Sequence, residues 1–329
     1  MRLTATASGT YPRIGDQPEE QVLRKTIAAV DRGEKTEADI EEARQAMVRM
    51  AIADQEEAGL DIVTDGQIGW YDPISHLLRS VAGVEINGLL RYFDTNSYFR
   101  QPVIVGEIEV GEPQVVGEYR YAAGVASKPV KPILTGAYTL AKLSINRQGV
   151  YRDVEALCEA IAPVVAAEVA GLVDAGADLI QIDEPCVLKH PEEFALVAAS
   201  LEAARSAAGS ATLALYTYFG DAEPLYGQLV ELPVDVLGLD FTYSPGLAET
   251  VASQGSPKTL GLGLLDARNT KMEEEEEIVA VLEALAPALA TGEAYLNPSA
   301  GLEYLPREKA RAKCELIGRI CRRLEGGFS

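Results

Sequence analysis

Short apolar runs alternate with long amphipathic patterns along this chain, and that alternation constrains its fold more than any single motif. Eight runs have strand character, at 3–8, 61–64, 132–135, 178–183, 212–216, 234–240, 259–264 and 294–297. Helical patterns lie at 19–32, 37–58, 153–175, 191–208, 222–231, 244–253, 273–290 and 306–324. Gly59 and Gly176 sit where helices are expected to stop, and Pro306 suits the first turn of the last one. Strand and helix in regular alternation point to a parallel sheet with helical crossovers. Eight strands favour closure, so the expected fold is α/β, a (β/α)8 TIM barrel. An open doubly wound sheet is the rival. It would carry a glycine-rich nucleotide loop after its first strand, and Gly261-Leu262-Gly263 lacks the required spacing.

The segment 81–130 breaks the alternation with Gly83, Gly88, Gly106, Gly111, Gly117 and Gly124. It reads as a β-hairpin insertion between barrel strands 2 and 3, with strands expected at 104–110 and 118–122. No other stretch has the composition of a linker, so one domain is expected over 1–329.

The formal net charge is −21. Phosphate backbones and anionic bilayers would be repelled, which argues against nucleic acid or membrane as partners. The run 273–277 is acidic, as a solvated helix start should be. The four cysteines, Cys158, Cys186, Cys314 and Cys321, include no CxxC pair and suggest no disulfide framework. The most apolar stretch, 156–182, contains Glu159, Glu168, Asp174 and Asp178, which argues against a bilayer span. Met1 to Thr4 lead directly into a strand-like run without a leader pattern. A cytoplasmic protein is expected.

In a barrel of this kind the loops after the strands build the active site. Each run ends in polar or glycine-bearing sequence. The first gives Ser8-Gly9-Thr10-Tyr11-Pro12, the second Asp65-Gly66-Gln67, the third Gly136-Ala137-Tyr138 and the fourth Asp183-Glu184-Pro185. The fifth gives Tyr216-Thr217-Tyr218, the sixth ends at Asp240, the seventh leads to Arg268 and the eighth ends Asn297-Pro298-Ser299. Polar strand ends are ordinary where loops meet solvent. Asp183 and Glu184 go beyond that expectation, because two acids abut a strongly apolar strand. Adjacent residues at a strand end face different ways. One carboxylate can therefore bind a cation while the other braces the loop. Single tyrosines here are ordinarily core rings with a hydroxyl at the rim. Trp70-Tyr71-Asp72 and the stretch 91–96 are candidates for a cover or docking edge, with loop packing as the plainer role for Trp70.

Four of these junctions resemble the cobalamin-independent methionine synthases. Ser8-Gly9-Thr10-Tyr11-Pro12 is similar to the family's IGSFP segment, and Asp65-Gly66-Gln67 to its HGE or DGE segment. Gln181-Ile182-Asp183-Glu184-Pro185 matches QIDEP without change, and Asn297-Pro298-Ser299-Ala300-Gly301-Leu302 resembles NPDCGL. The matches follow in order over nearly the whole chain, whose length is that of the short, single-barrel members. The resemblance implies methyl transfer to a small thiol, typically that of homocysteine. It implies a methyl-folate donor, or a methyl-corrinoid delivered by a carrier protein. It places the amino acid's carboxylate at Ser8, Gly9 and Thr10, and its ammonium at Gln67 and Asp183. Asp65, Tyr138, Arg268 and Asn297 complete the expected substrate site. Asp183, Glu184, Asp240, Tyr216 and Tyr218 are the expected catalytic group. The segment 131–138 lies where the family binds its donor.

The family also implies zinc, held by a His-x-Cys pair, a glutamate and a late cysteine. A metal keeps sulfur as thiolate at neutral pH. Here the pair's place reads Leu215-Tyr216-Thr217-Tyr218, the glutamate is Asp240 and the late cysteine is Ala300. Neither histidine nor cysteine occurs between Pro191 and Lys313. The remaining metal candidates are Asp240, Cys186 and His190, with His76 the only other histidine. Two functional alternatives stay open beside methyl transfer. The barrel could run another reaction, as the related uroporphyrinogen decarboxylases do, or only bind an amino-acid-like ligand.

Overall fold

The computed structural model describes residues 1–325. Along the chain, β1 (Arg2–Ala5) leads to α1 (Val22–Asp31) and α2 (Glu37–Ala58). After α3 (Ser75–Leu78) come the hairpin strands β2 (Ala82–Arg91) and β3 (Tyr98–Glu109), then α4 (Val116–Val125). β4 (Ile133–Thr135), α5 (Ala137–Leu143), β5 (Ile145–Asn146) and α6 (Val154–Asp174) follow. The remaining alternation runs β6 (Leu179–Asp183), α7 (Phe194–Ala208), β7 (Thr212–Thr217), α8 (Tyr226–Leu229), β8 (Val236–Asp240) and α9 (Leu247–Gln254). It ends with β9 (Thr259–Leu265), α10 (Glu275–Leu285), β10 (Glu293–Pro298) and α11 (Arg307–Leu324).

Seven strands form one parallel sheet in the order β1-β10-β9-β8-β7-β6-β4. The eighth stave is the 62–63 segment, too short to form a ladder. Ile62 bridges Thr6 on one side and Val63 bridges Val130 on the other. The Val63 N–H donates to the Pro129 carbonyl at 2.9 Å, and the Lys131 N–H to the Val63 carbonyl at 2.8 Å. These bonds join β1 to β4 and complete the barrel expected from the strand count. Contacts that skip intervening staves run through the lumen. Gln181 on β6 donates to the Ser8 carbonyl beyond β1 at 3.3 Å, and Tyr216 on β7 to Asn297 Oδ1 on β10 at 3.4 Å.

The hydrophobic core lies mainly between the strands and the helical layer. α6 shows the logic: Leu157, Ile161, Val165, Val169 and Leu172 recur at helical spacing and are buried in that core. By length and composition α6 is apolar enough to cross a bilayer, yet it packs between α5 and α7. A second, small cluster of Ala214, Tyr216 and Val236 lies on the inward faces of β7 and β8. α11 packs on α2 through ion pairs as well as apolar contacts. Arg307 Nη2 lies 2.7 Å from Asp54 Oδ2, with both side chains buried.

The insertion differs from expectation in its strands. The hairpin pairs β2 with β3, and the 118–122 segment is helical, inside α4. Gly83 and Gly88 are not breakers here. They mark register shifts within β2, at positive φ of 83° and 39°, where a bulge absorbs the extra residue. Tyr119 and Ala122 are buried three residues apart, a helical period rather than a strand period. Glu168 from α6 accepts the Gln114 and Val115 N–H groups at 2.5 and 3.1 Å, anchoring the start of α4. α5, between β4 and β5, has no counterpart among the helical patterns of the sequence.

Candidate active site

The lumen is floored and walled by polar groups at the carboxyl ends of the strands. Gln181 and Asp183 are two apart on β6, so both face inward. Asp183 Oδ1 accepts from Gln181 Nε2 at 2.7 Å, and Oδ2 accepts from the Tyr218 hydroxyl at 3.0 Å. Burial pushes the Asp183 carboxyl up to about 7, against the hydrogen bonds from Gln181 and Tyr218 and the charge of Lys131. Gln181 Oε1 is buried without a partner. Tyr216 lies across the lumen, in space that only glycines leave open. A Cβ on Gly238 would come within 2.3 Å of its ring, and one on Gly261 within 2.6 Å of its hydroxyl.

The first two loops close this wall. Ser8 Oγ donates to the Pro298 carbonyl at 2.7 Å, tying the ends of the first and last staves together. Gly9 adopts φ 130°, and a Cβ there would lie 3.3 Å from Gln67 Oε1. Gln67 is held at φ 49°, rare for a residue with a side chain, by an N–H bond to Asp65 Oδ1 at 2.9 Å. Burial and the charge of Glu118 raise Asp65 to about 7. Thr10 Oγ1 is buried and unpartnered. The structure thus brings Ser8, Gly9, Gln67, Asp183, Tyr216, Tyr218 and Asn297 together at the carboxyl end of the barrel, through the Gln181 contacts to Ser8 and Asp183 and the Tyr216 contact to Asn297.

Other expected residues do different work. Glu184 turns away from the lumen and caps α5, accepting from the Tyr138 and Thr139 N–H groups at 3.0 and 2.8 Å. It is fully buried, and burial raises it to about 7. Asp240 braces its own loop. It accepts from Thr242 N–H, Thr242 Oγ1 and Tyr243 N–H at 2.9, 2.7 and 3.2 Å, and its other oxygen lies 3.5 Å from the Phe219 nitrogen. Burial raises it to about 6. The Tyr138 hydroxyl donates to Glu193 at 2.5 Å, on the helical side rather than into the lumen. Arg268 is stacked between Phe219 and Tyr243, its guanidinium 4.9 and 4.2 Å from their ring centroids.

The hairpin covers the mouth. Tyr92 and Phe93 lie against Phe219 with ring centroids 6.1 and 5.4 Å apart. Asp72 accepts from Ser75 N–H and Arg100 N–H at 2.6 and 3.0 Å, fastening the loop before α3 to β3. Trp70 is buried and stacked on His76 at 4.6 Å, so its role is packing and it forms no docking edge. Glu303 and Tyr304 are absent from the sequence expectation, whereas Gln181, Lys131 and Tyr92 enter it only as members of longer segments, without a role of their own. Burial pushes the Tyr92 and Tyr304 hydroxyls well above the phenol range, with Asp183 and Glu303 adding to it. The period-2 relation to Asp183 was a usable signal for Gln181. Tyr92 lies in the 91–96 stretch expected as a cover, and nothing local marks Tyr304, which arrives from a distant segment.

The donor set does not fit the zinc implied by the family. Tyrosine occupies the His-x-Cys place, Ala300 is buried apolar surface, and Asp240 spends its oxygens on its own loop. The alternative candidates do not assemble either. Cys186 is buried, and burial pushes its thiol up to about 12, whereas His190 is partly exposed beside Glu192 at 3.6 Å. Among the described residues no three His, Cys, Asp or Glu side chains are grouped to hold a metal ion. Cys186, His190 and Asp240 are therefore corrected from metal candidates to packing, surface and loop-bracing residues.

Residues 8–322 match the family described as the cobalamin-independent synthase, catalytic domain. The chain is 30% identical over 316 residues to a methionine synthase of Saccharolobus solfataricus, covering 94% of this chain and 91% of that one. It is 29% identical over 317 residues to a methionine synthase of Sulfurisphaera tokodaii, covering 94% and 89%. Its backbone is similar to a B12-independent methionine synthase from Shewanella sp. W3-18-1 in complex with selenomethionine, with TM-score 0.81, 18% identity, and coverage of 99% and 98%. At that identity the structural likeness speaks for the fold alone. With ordered motifs, a shared barrel and a match over nearly its full length, the chain belongs to the cobalamin-independent synthase family, by its catalytic domain.

Proposed function

We propose that this protein is a single-domain methyltransferase that moves a methyl group from a methyl-folate or methyl-corrinoid donor to the thiol of homocysteine, forming methionine. Family membership supports the reaction class. The observation that carries the substrate reading is Asp183, buried in the lumen between Gln181 and Tyr218. Its carboxylate and the free Gln181 Oε1 form a cradle for an ammonium group. Gln67 faces the same wall from the second loop, contributing an acceptor without charge. The resemblance assigns the carboxylate to Ser8, Gly9 and Thr10, and the unpartnered Thr10 hydroxyl and the positive φ of Gly9 support that assignment. The Phe219, Tyr92 and Phe93 rings exclude water from the mouth, which strengthens these polar contacts. A folate donor binds directly in the loops over β4, whereas a corrinoid donor arrives on a carrier protein at the same open end. The acidic protein works in the cytoplasm, away from nucleic acid and membrane.

Asp183→Ala should abolish homocysteine binding in calorimetry while circular dichroism stays native. Wild-type protein given homocysteine with methyl-tetrahydrofolate or methylcobalamin should form methionine. Unchanged affinity in Asp183→Ala would remove the ammonium role, and no methionine from either donor would overturn the reaction.

A further inference from the structure

Lys131 is a charged group in this site that the functional reading leaves unused. Its N–H belongs to the seam beside the 62–63 segment, donating to the Val63 carbonyl. Its side chain, 1% exposed, reaches Tyr216, with Nζ 4.8 Å from the ring centroid. Tyr216 sits two staves away, with β6 between, so the lysine side chain reaches past β6, where its charge and that of Asp183 act on each other. Nζ has no hydrogen-bond partner, and Gln181 Oε1 beside Asp183 has none either. Three groups share this region: Asp183 on β6, Tyr216 on the adjacent β7, and Tyr295 from β10 farther round the sheet. Only Asp183 carries a negative charge, and its oxygens already accept from Gln181 and Tyr218.

A buried ammonium without an acceptor is strongly disfavoured, so the unliganded side chain sheds its proton readily and its charged form needs a partner. The missing partner must be an acceptor or an anion. The end of the fifth stave carries neither histidine nor cysteine to hold a metal, and Tyr216 stands there with Lys131 over its ring. Burial brings the lysine down to about 7, so its neutral amine is accessible near neutrality.

We propose that Lys131 takes the proton of the acceptor thiol and then holds the sulfur as thiolate by ion pairing, in place of a metal; this rests on the methyl-transfer reading. The S–H bond breaks and its proton passes to the Nζ lone pair. A thiolate electron pair then forms the S–CH3 bond, while the bond from methyl to donor breaks and its electron pair leaves with the donor. On a folate donor the departing nitrogen takes up one proton, which balances the one that Lys131 accepted. No oxidant or reductant is needed.

The test compares wild type, Lys131→Met and Lys131→Arg with homocysteine and with homoserine, which carries a hydroxyl in place of the thiol. Wild type should show the ultraviolet thiolate band on binding homocysteine without releasing a proton to buffer, as measured by calorimetry in two buffers. Lys131→Arg keeps the charge but cannot accept the proton, so the band should persist with about one proton released. Lys131→Met should lose the band and roughly 10- to 100-fold of the preference for homocysteine over homoserine. An absent band in wild type overturns the proposal whatever the variants do. So does an intact band and unchanged methionine formation in Lys131→Met. If wild type forms methionine while either of these holds, Lys131 alone is refuted. If wild type neither binds homocysteine nor forms methionine, the methyl-transfer reading falls, and this inference with it.

Discussion

Asp183 and Lys131 are buried in one lumen with opposite displacements from their ordinary values. The cause in both is burial, which disfavours charge of either sign. An unfolded aspartate titrates near 3.9, and folded Asp183 titrates at about 7. The folded state holds that proton more tightly. Its contribution to stability is therefore complete below about pH 4 and is lost as pH rises through 7. Lys131 has the reverse sign. Its folded ammonium loses the proton at about 7, well before an unfolded lysine would, so stability recovers as pH rises further. Urea midpoints at about pH 5, 7 and 9 should pass through a minimum near neutrality. Asp183→Asn should shallow the falling limb, and Lys131→Met the rising one. Glu184 and Asp65, both raised by burial, keep part of the falling limb in place. A full-depth minimum in both variants would show that these two groups do not set it.

α5 is a seven-residue helix whose first free N–H groups are met by a side chain from the next stave. A carboxylate at a helix N-terminus is favoured by the exposed N–H groups and the helix dipole. Gly136 is required by the same contact, since a Cβ there would come within 2.1 Å of Glu184. Glu184→Ala should therefore cost about 1–3 kcal/mol in urea unfolding, the penalty for stranding buried donors. Homocysteine affinity measured by calorimetry should stay close to wild type. A large loss of affinity with unchanged stability would return Glu184 to the binding site. The adjacent acids were legible as a pair with divided roles. Which of the two faces the ligand follows from strand alternation only once the inward side of β6 is known.

The barrel closes unevenly. β6 to β10 are joined by continuous ladders, whereas the 62–63 segment holds its neighbours by isolated bridges. Few ladder bonds make a seam that opens at lower free energy than the rest. In native-state hydrogen exchange the Val63 and Lys131 amides should exchange faster than those of Leu215, Leu237 and Leu262 in the ladders. Equal protection at both places would mean that the barrel opens only as a whole. The seam lies beneath Gln67 and beside Lys131, so ligand that reaches the lumen should slow exchange there first.

The sequence by itself determined the alternation of strand and helix, the stave count and the four ordered motifs. Each of these is a local property: apolar period, turn residues and short contiguous strings. It also determined that the family's zinc ligands are absent, because residue identity needs no fold to be read. Only the tertiary structure decided which polar residues meet. Closure brings Lys131 to Tyr216, Gln181 to Ser8 and Tyr92 to Phe219 from segments far apart in the chain. It also moved Glu184, Asp240 and Tyr138 from chemistry to bracing, because their nearest donors and acceptors lie in helices and loops that no strand pattern locates. The physical reason is that a buried polar group takes its role from its partners, and those partners are set by how the chain closes on itself.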